Sequence, residues 1–368
     1  MTKVDAMRIG ILTLMHGYNY GGVLQCYGVK RALECQGHNV EVIDFHPRPG
    51  WRKARHIAGY LGSVGERLAV DLISAKKYGK QIHRSFQDFR RNRLNLSPPC
   101  NSTADLQRLM QRYDAMVVGS DQVWNLDWAI PEYFFSFAND YQGKLFSYAA
   151  CFGHRKQSSE VLEAAGSWLT RFDAISVRNG MSQSIVKNAS KRDSMIVADP
   201  TLLVSFDDMV EAPELPFDDY ILLYALSNAR YHDAIDHLKA IATKKDLPIV
   251  AVQSDVLQNW DMSAADYCVK NPSVEQWLGL FQNACFVLTD SFHGTLFSIK
   301  NHVPFLNYIG TATSSERVAY VAQRYGLANG YYPPDQYDHA SVIDFNSIDR
   351  QIQIHIDESY KFIQQMNA

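Results

Sequence analysis

Residues 287–299 read VLTDSFHGTLFSI. An apolar run from Cys285 to Leu288 stops at Thr289-Asp290-Ser291, and a second apolar-periodic run begins at Thr295. A short apolar run closed by turn formers fits a strand buried on both faces, and the spacing beyond Thr295 fits a helix. A buried strand feeding directly into a helix is the repeating unit of a parallel sheet covered by helices. The joint itself carries one histidine, His293, and one glycine, Gly294. Ligands of such sheets bind beyond the carboxyl ends of strands, so the joint is also a place for chemistry.

The same alternation extends outward in both directions. In the N-terminal half, RIGILTL (Arg8 to Leu14) predicts a strand, GGVLQCYGVKRALECQGH an amphipathic helix, and NVEVIDF (Asn39 to Phe45) a second strand. A long basic, mainly helical stretch follows to about Leu96. YDAMVVGS, KLFSYAA, FDAISVR and DSMIVADP are further strand candidates, several of them separated by helical runs such as Ser159 to Leu169. Residues 207–219, DDMVEAPELPFDD, are acidic with two prolines and read as a linker. Beyond it YILLYAL, LPIVAVQ and CFVLTD read as strands, with helices at His232 to Lys245 and Ser273 to Asn283. The expected organisation is an N-terminal Rossmann-like domain over 7–206 with a basic helical insertion at 48–93, and a C-terminal Rossmann-like domain over 220–345. A helix over 346–368 closes the chain and packs back on the N-terminal domain. The fold class is α/β, two doubly wound domains facing a cleft.

The chain has 368 residues, 46% apolar and 20% charged, which is globular composition without a disorder signature. Its net charge of -3 is unevenly spread: residues 46–93 hold twelve Lys or Arg against three Asp or Glu. The six cysteines contain no C-x-x-C pair and read as reduced thiols, neither a disulfide framework nor a zinc site. No ligand cluster at metal spacing is visible, so no metal is expected. No secretory leader is recognisable and no apolar run reaches about 18 residues, so a cytoplasmic location is expected.

Four strand-end segments hold the candidate residues. MHGYNYGGVLQCYG brings Gly17, Gly21 and Gly22 to a helix start, where backbone N–H groups can approach an anion. It is not G-x-G-x-x-G, so a dinucleotide fingerprint is excluded, and a tight turn is the other reading. GSDQVWN offers Ser120 and Asp121, with Asp121 equally readable as a helix cap. ISVRN ends a strand on Arg178, either an anion clamp or half of an ion pair. In TDSFHG, a ring in the first helical turn lies at the positive end of the macrodipole, which disfavours its charged form. A bound phosphate or carboxylate would favour that form again. Such a histidine would be charged only beside an anionic substrate, which suits a general acid. The same residues also read as a capping motif with a solvent-facing histidine.

Together, NYGGVLQCYGVKRALECQGHNVEVIDF, GSDQVWN, SYAACFG, ISVRN, VADPTLL and TDSFHGTLFSIKNHVPF resemble the polysaccharide pyruvyl transferase family, in its order and over about residues 8–330. The resemblance implies the two-domain fold called GT-B, with the acceptor on the N-terminal side and the donor on the C-terminal side. It implies transfer of a pyruvyl group from phosphoenolpyruvate to two hydroxyls of a sugar in a cell-surface or exopolysaccharide precursor, giving a ketal and phosphate. By position, His293 matches the family's general acid and Arg178 an arginine that binds phosphoenolpyruvate. Asn19, Gly21, Ser120 and Asp121 match motifs lining the cleft, with Asp121 as base or hydroxyl orienter. Ser291 and Gly294 flank the histidine, and helix starts at Gly21 and Gly294 would offer N–H donors to phosphate. The chain departs from the family at Asn179, where an acidic residue is common, and at Cys151, where serine is frequent. Arg317 is the nearest substitute for a basic residue some members carry after the histidine helix.

Beyond phosphoenolpyruvate as donor substrate, no cofactor is expected. The acceptor would be a sugar, with a lipid-linked oligosaccharide as one form of it, and no nucleic acid is implied. The basic stretch from Arg48 to Arg93, interleaved with Trp51, Tyr60, Tyr78, Phe86 and Phe89, reads as a solvated helical face or as a peripheral contact with an anionic membrane at its inner face. Two alternatives remain: a GT-B glycosyltransferase using a nucleotide sugar, against which no E-x7-E pair is found, and an inactive carbohydrate-binding homologue.

Overall fold

The computed structural model describes residues 6–46, 79–126, 131–153, 159–226, 231–253, 264–307, 312–327 and 343–366. The chain forms two compact units: Met1–Val204 with Ile356–Ala368, and Ser205–His355.

In the first unit, β1 (Arg8–Leu12), β2 (Asn39–Val42), β3 (Ala115–Val118), β4 (Lys144–Ala150), β5 (Ala174–Val177) and β6 (Met195–Ile196) form one parallel sheet. Its order is β2-β1-β3-β4-β5-β6. All four residues of β3, AMVV, are buried, as a strand covered on both faces requires. The helices are α1 (Tyr20–Glu34), α2 (Lys80–Arg93), α3 (Thr103–Met110), α4 (Ser159–Leu169) and α5 (Gly180–Ser190). The chain leaves β1 to one side through β2 and to the other through β3, so the topological switch point lies between β1 and β3. There the backbones close up. Thr13 Oγ1 donates to Ser120 O at 3.2 Å, and a Cβ on Gly119 would lie 2.8 Å from Thr13 Cβ. Only glycine fits that contact.

The second unit carries β7 (Ile221–Tyr224), β8 (Ile249–Gln253), β9 (Tyr267–Lys270), β10 (Phe286–Thr289) and β11 (Phe305–Asn307), all parallel, in the order β11-β10-β7-β8-β9. Around them run α6 (Tyr231–Lys245), α7 (Val274–Gln282), α8 (Phe292–Lys300) and α9 (Ala312–Tyr325). The switch point falls between β7 and β10, and Asp290 Oδ1 ties the two strand ends by accepting from Leu226 N at 2.6 Å. Part of the stretch expected as a linker packs on α7: Glu211 N donates to Glu275 O, and a side chain on Gly279 would collide with Glu211 O.

The last helix, α10 (Phe345–Gln365), opens in the second unit and ends in the first. Ser359 Oγ accepts from Ala198 N at 2.8 Å, Tyr360 OH donates to Leu203 O, and Phe362 lies against Tyr148. This is the expected return onto the N-terminal domain. Two strands are absent from the sequence reading. β9 is a half-exposed edge strand without an apolar run, and β11 has three residues.

Within the basic stretch, residues 47–78, including Trp51, Tyr60 and Tyr78, lie outside the described residues. The interfacial reading is corrected for Phe86 and Phe89, which are fully buried on the inner face of α2 with Ile82. Positions 82, 86, 89 and 90 share one helical face, so Arg90 is buried with them. Its guanidinium donates to Met15 O, His16 O and Gly17 O at 2.8–3.1 Å, holding the segment after β1. That arginine braces the segment leaving β1.

Candidate functional site

In the first unit the strand ends converge on Arg178, which follows β5 and is 2% exposed. One guanidinium nitrogen donates to Asp199 Oδ2 at 2.9 Å and another to Asp121 Oδ1 at 3.1 Å. Burial by itself would weaken the Arg178 charge; the electronegative neighbours Cys151, Asp121 and Asp199 outweigh it and hold its pKa above the ordinary value. The fork expected to bind phosphoenolpyruvate is thus engaged by carboxylates of its own unit. Asp121 does not cap a helix. It sits at φ 68, a left-handed conformation that costs a non-glycine residue on the order of 1–3 kcal/mol and persists where surroundings impose it. Here Cys151 N donates to Asp121 O, and Arg178 holds the side chain. β4 contributes a register shift between Ser147 and Ala150, with Ala149 at φ 50.

Asp199 was not singled out in the sequence. It follows β6, and its Oδ1 accepts from Thr201 N and Oγ1 while Oδ2 takes Arg178. The signal was Asp-Pro-Thr: a cap residue followed by a proline at the first helical position. The two departures from the family, Asn179 and Cys151, meet each other. Asn179 Oδ1 caps α5 through Ser182 N at 2.9 Å, and its Nδ2 lies 3.7 Å from Cys151 Sγ.

In the second unit Ser291 is the N-cap of α8. Its Oγ accepts from Gly294 N at 3.2 Å, and its own N donates to Thr289 Oγ1 at 3.0 Å. A Cβ on Gly294 would sit 2.5 Å from Thr289 Oγ1, so glycine is what lets the helix start this close to β10. His293, one turn position earlier, is 5% exposed, with its ring edge-on to Phe292 at 5.0 Å. The capping motif is real, and the histidine is buried, not solvent-facing. At the end of β7 Tyr224 lies against Trp277, their ring centroids 5.3 Å apart; burial first, and then Asp290, push the Tyr224 hydroxyl well above its usual pKa. Arg317 on α9 stacks over Phe292, its Cζ 5.6 Å from the ring centroid, and so stands beside the histidine's neighbour.

The remaining expected residues have structural partners. Asn19 is the N-cap of α1 and accepts from Gly22 N at 3.2 Å, with Gly21 in the first turn. Ser120 is fully buried, its hydroxyl on Ala149 O. The N–H of Gly294 is taken by Ser291, which corrects the expectation that it serves a phosphate. The absence of a metal-spaced cluster is also corrected. His16, after β1, meets Asp44 and His46, after β2, with one ligand atom from each lying within 4.8 Å of the others. Twenty-seven residues separate His16 from Asp44, so no local motif announces the cluster.

The model of the polysaccharide pyruvyl transferase family matches residues 19–311, most of the chain. The chain belongs to this family. A polysaccharide pyruvyl transferase is a transferase of polysaccharide biosynthesis, and the chain is to be read as one. Three solved structures show the same fold over nearly the whole chain. UDP-GlcNAc 2-epimerase from Methanocaldococcus jannaschii is 14% identical with a TM-score of 0.51, covering 95% of this chain and 93% of its own. Arabidopsis thaliana UGT89C1 is 9% identical with a TM-score of 0.53, covering 99% and 100%. The glycotransferase of kitacinnamycin is 12% identical with a TM-score of 0.51, covering 98% and 99%. These likenesses establish the GT-B fold and nothing about substrates. The comparison with curated proteins gives no significant match. Among the described residues no helix is long and apolar enough to cross a membrane.

Proposed function

We propose that this pyruvyl transferase moves the pyruvyl group of phosphoenolpyruvate onto two hydroxyls of one sugar, closing a cyclic ketal and releasing phosphate. The observation that carries the reading is His293, buried in the first turn of α8 at the switch point of the second unit. His293 delivers a proton to the methylene carbon of the donor while a sugar hydroxyl adds to the central carbon. The C–O bond to phosphate then breaks, the second hydroxyl adds to that carbon, and the ketal closes; one hydroxyl proton leaves with the phosphate and the other, through water, restores His293. The helix turn that carries the buried ring is held by a cap and a glycine contact, the kind of preorganisation a general acid needs. In the first unit Asp121 orients an acceptor hydroxyl. Arg178 acts as a positioning residue: its fork fixes Asp121 and Asp199.

The test pairs binding with product. Phosphoenolpyruvate is expected to raise the melting temperature more than a panel of sugar nucleotides does. With a suitable sugar acceptor, phosphate is released and the product gains the mass of a pyruvyl ketal. Stabilisation by a sugar nucleotide alone, with no phosphate from phosphoenolpyruvate, would replace this reading with nucleotide-sugar transfer.

A further inference from the structure

We infer that His16, Asp44 and His46 form a binding site for a divalent first-row transition-metal ion of the zinc class. The inference stands on the geometry of the first unit and is independent of the donor substrate. Phe45 bridges Cys100 in extended conformation: His46 N donates to Cys100 O at 2.9 Å and Cys100 N to Asp44 O at 2.8 Å. The two-residue period of an extended chain turns Phe45 into the core, against Tyr133, and puts Asp44 and His46 on the same opposite side. His16 comes to them from the segment after β1, whose carbonyls Arg90 holds. Two fixed backbones therefore present three ligands at adjacent strand ends.

Distances fit a shared ion. His46 Nε2 lies 2.9 Å and His16 Nε2 3.3 Å from Asp44 Oδ1. Metal–ligand bonds of about 2.0–2.2 Å place neighbouring donors about 2.8–3.6 Å apart in tetrahedral or octahedral geometry. A hydrogen bond does not account for the closer pair. His46 Nε2 is a buried atom that makes no hydrogen bond, although the carboxylate oxygen is 2.9 Å away. The two atoms lie at ion-pair distance without hydrogen-bond alignment, a separation that two ligands of one ion also show. The imidazole rings lie 4.0 Å apart between centroids, tilted by 31°.

The donor set selects the metal class. Two imidazoles and a carboxylate without a thiolate suit zinc and its first-row neighbours better than magnesium or calcium, which prefer all-oxygen shells. Asp44 is nearly buried, whereas the histidine side chains are 27% and 25% exposed, so the three ligands leave an open side. Three protein ligands with an open position accept an oxygen ligand, as catalytic-type sites do.

Full-length protein freed of metal by a chelator is titrated with Co²⁺, whose visible d–d bands report coordinated imidazole, and then with competing Zn²⁺. One tight equivalent is expected, displaced by zinc. His16→Ala and His46→Ala should each weaken it by at least about tenfold, while the exposed His302→Ala leaves it unchanged. Should an alanine variant fail to fold, Asp44→Asn keeps the shape, and a zinc-induced rise in melting temperature, reversed by EDTA, should disappear in it. No cobalt bound by the wild type, or equal binding by the His16 and His46 variants, would show adventitious histidine contact at most and overturn the site.

Discussion

The two strand-end clusters are built on opposite construction principles. In the second unit the helix turn that carries His293 is built by its neighbours in sequence: Ser291, Gly294 and Thr295 bond within four residues, and Thr289 closes from two residues before the cap. In the first unit Arg178 reaches Asp121 across 57 residues and Asp199 across 21. One site is written into a turn and the other into the assembly of a sheet. A local site survives loss of distant contacts and fails with its cap. A long-range one fails as a unit, because removing one member leaves a buried charge behind.

The largest expected effect separates chemistry from scaffold. His293→Gln keeps the helix start and removes the proton donor, so turnover of phosphoenolpyruvate should fall by on the order of 10²–10⁴-fold while its stabilisation of the protein persists. Near-normal phosphate release by this variant would make His293 a packing residue.

Arg178→Met tests the other construction. Breaking a buried ion pair from one side costs about 3–5 kcal/mol, so the urea midpoint should drop steeply, whereas His293→Gln should barely move it. Arg178→Lys keeps the charge and loses the fork, and is expected to fall between. A Met variant as stable as the wild type would mean that the carboxylates do not depend on this cation.

How much of this was readable in the sequence follows the same division. Strand-to-helix joints such as TDSFHG announce themselves because apolar runs, caps and glycines act over a few residues. KLFSYAA coincides with β4 from end to end. Edge strand β9 escaped because half-exposed strands lack an apolar run. The role of Arg178 was open, clamp or ion pair, since its partners come from other strands. His16 with Asp44 and His46 was invisible for that reason. Arg90 left a trace only as a cation in phase with Ile82, Phe86 and Phe89 on one helix face.

Glycine contacts allow the same comparison at smaller cost. Gly119→Ala would press on Thr13 Cβ in the first unit and Gly294→Ala on Thr289 Oγ1 in the second. Overpacking of this kind costs about 1–3 kcal/mol. Both variants should lose comparable stability by thermal melting. Only Gly294→Ala displaces the turn that carries His293, so its activity should fall further. Equal losses of activity would mean that the second site is no more local than the first.

The smallest effect is the most discriminating. Asn179 caps α5 and Ser291 caps α8, each through one side-chain oxygen accepting a backbone N–H three residues on. Replacing either with alanine should cost about 1 kcal/mol, a shift of a few degrees in melting temperature. Their consequences for turnover should differ. The Ser291 cap sets the first turn of α8, in which His293 sits, so Ser291→Ala should lower kcat while the KM for phosphoenolpyruvate changes little. Ser291→Thr, which keeps a capping hydroxyl, should restore it. Asn179→Ala frays a helix start next to Arg178, yet Asp121 and Asp199 still hold that side chain, so kcat should follow stability alone. If Ser291→Ala leaves kcat intact, or threonine fails to rescue it, the cap does not position the ring. The local construction of the second site would then be a matter of folding and not of catalysis.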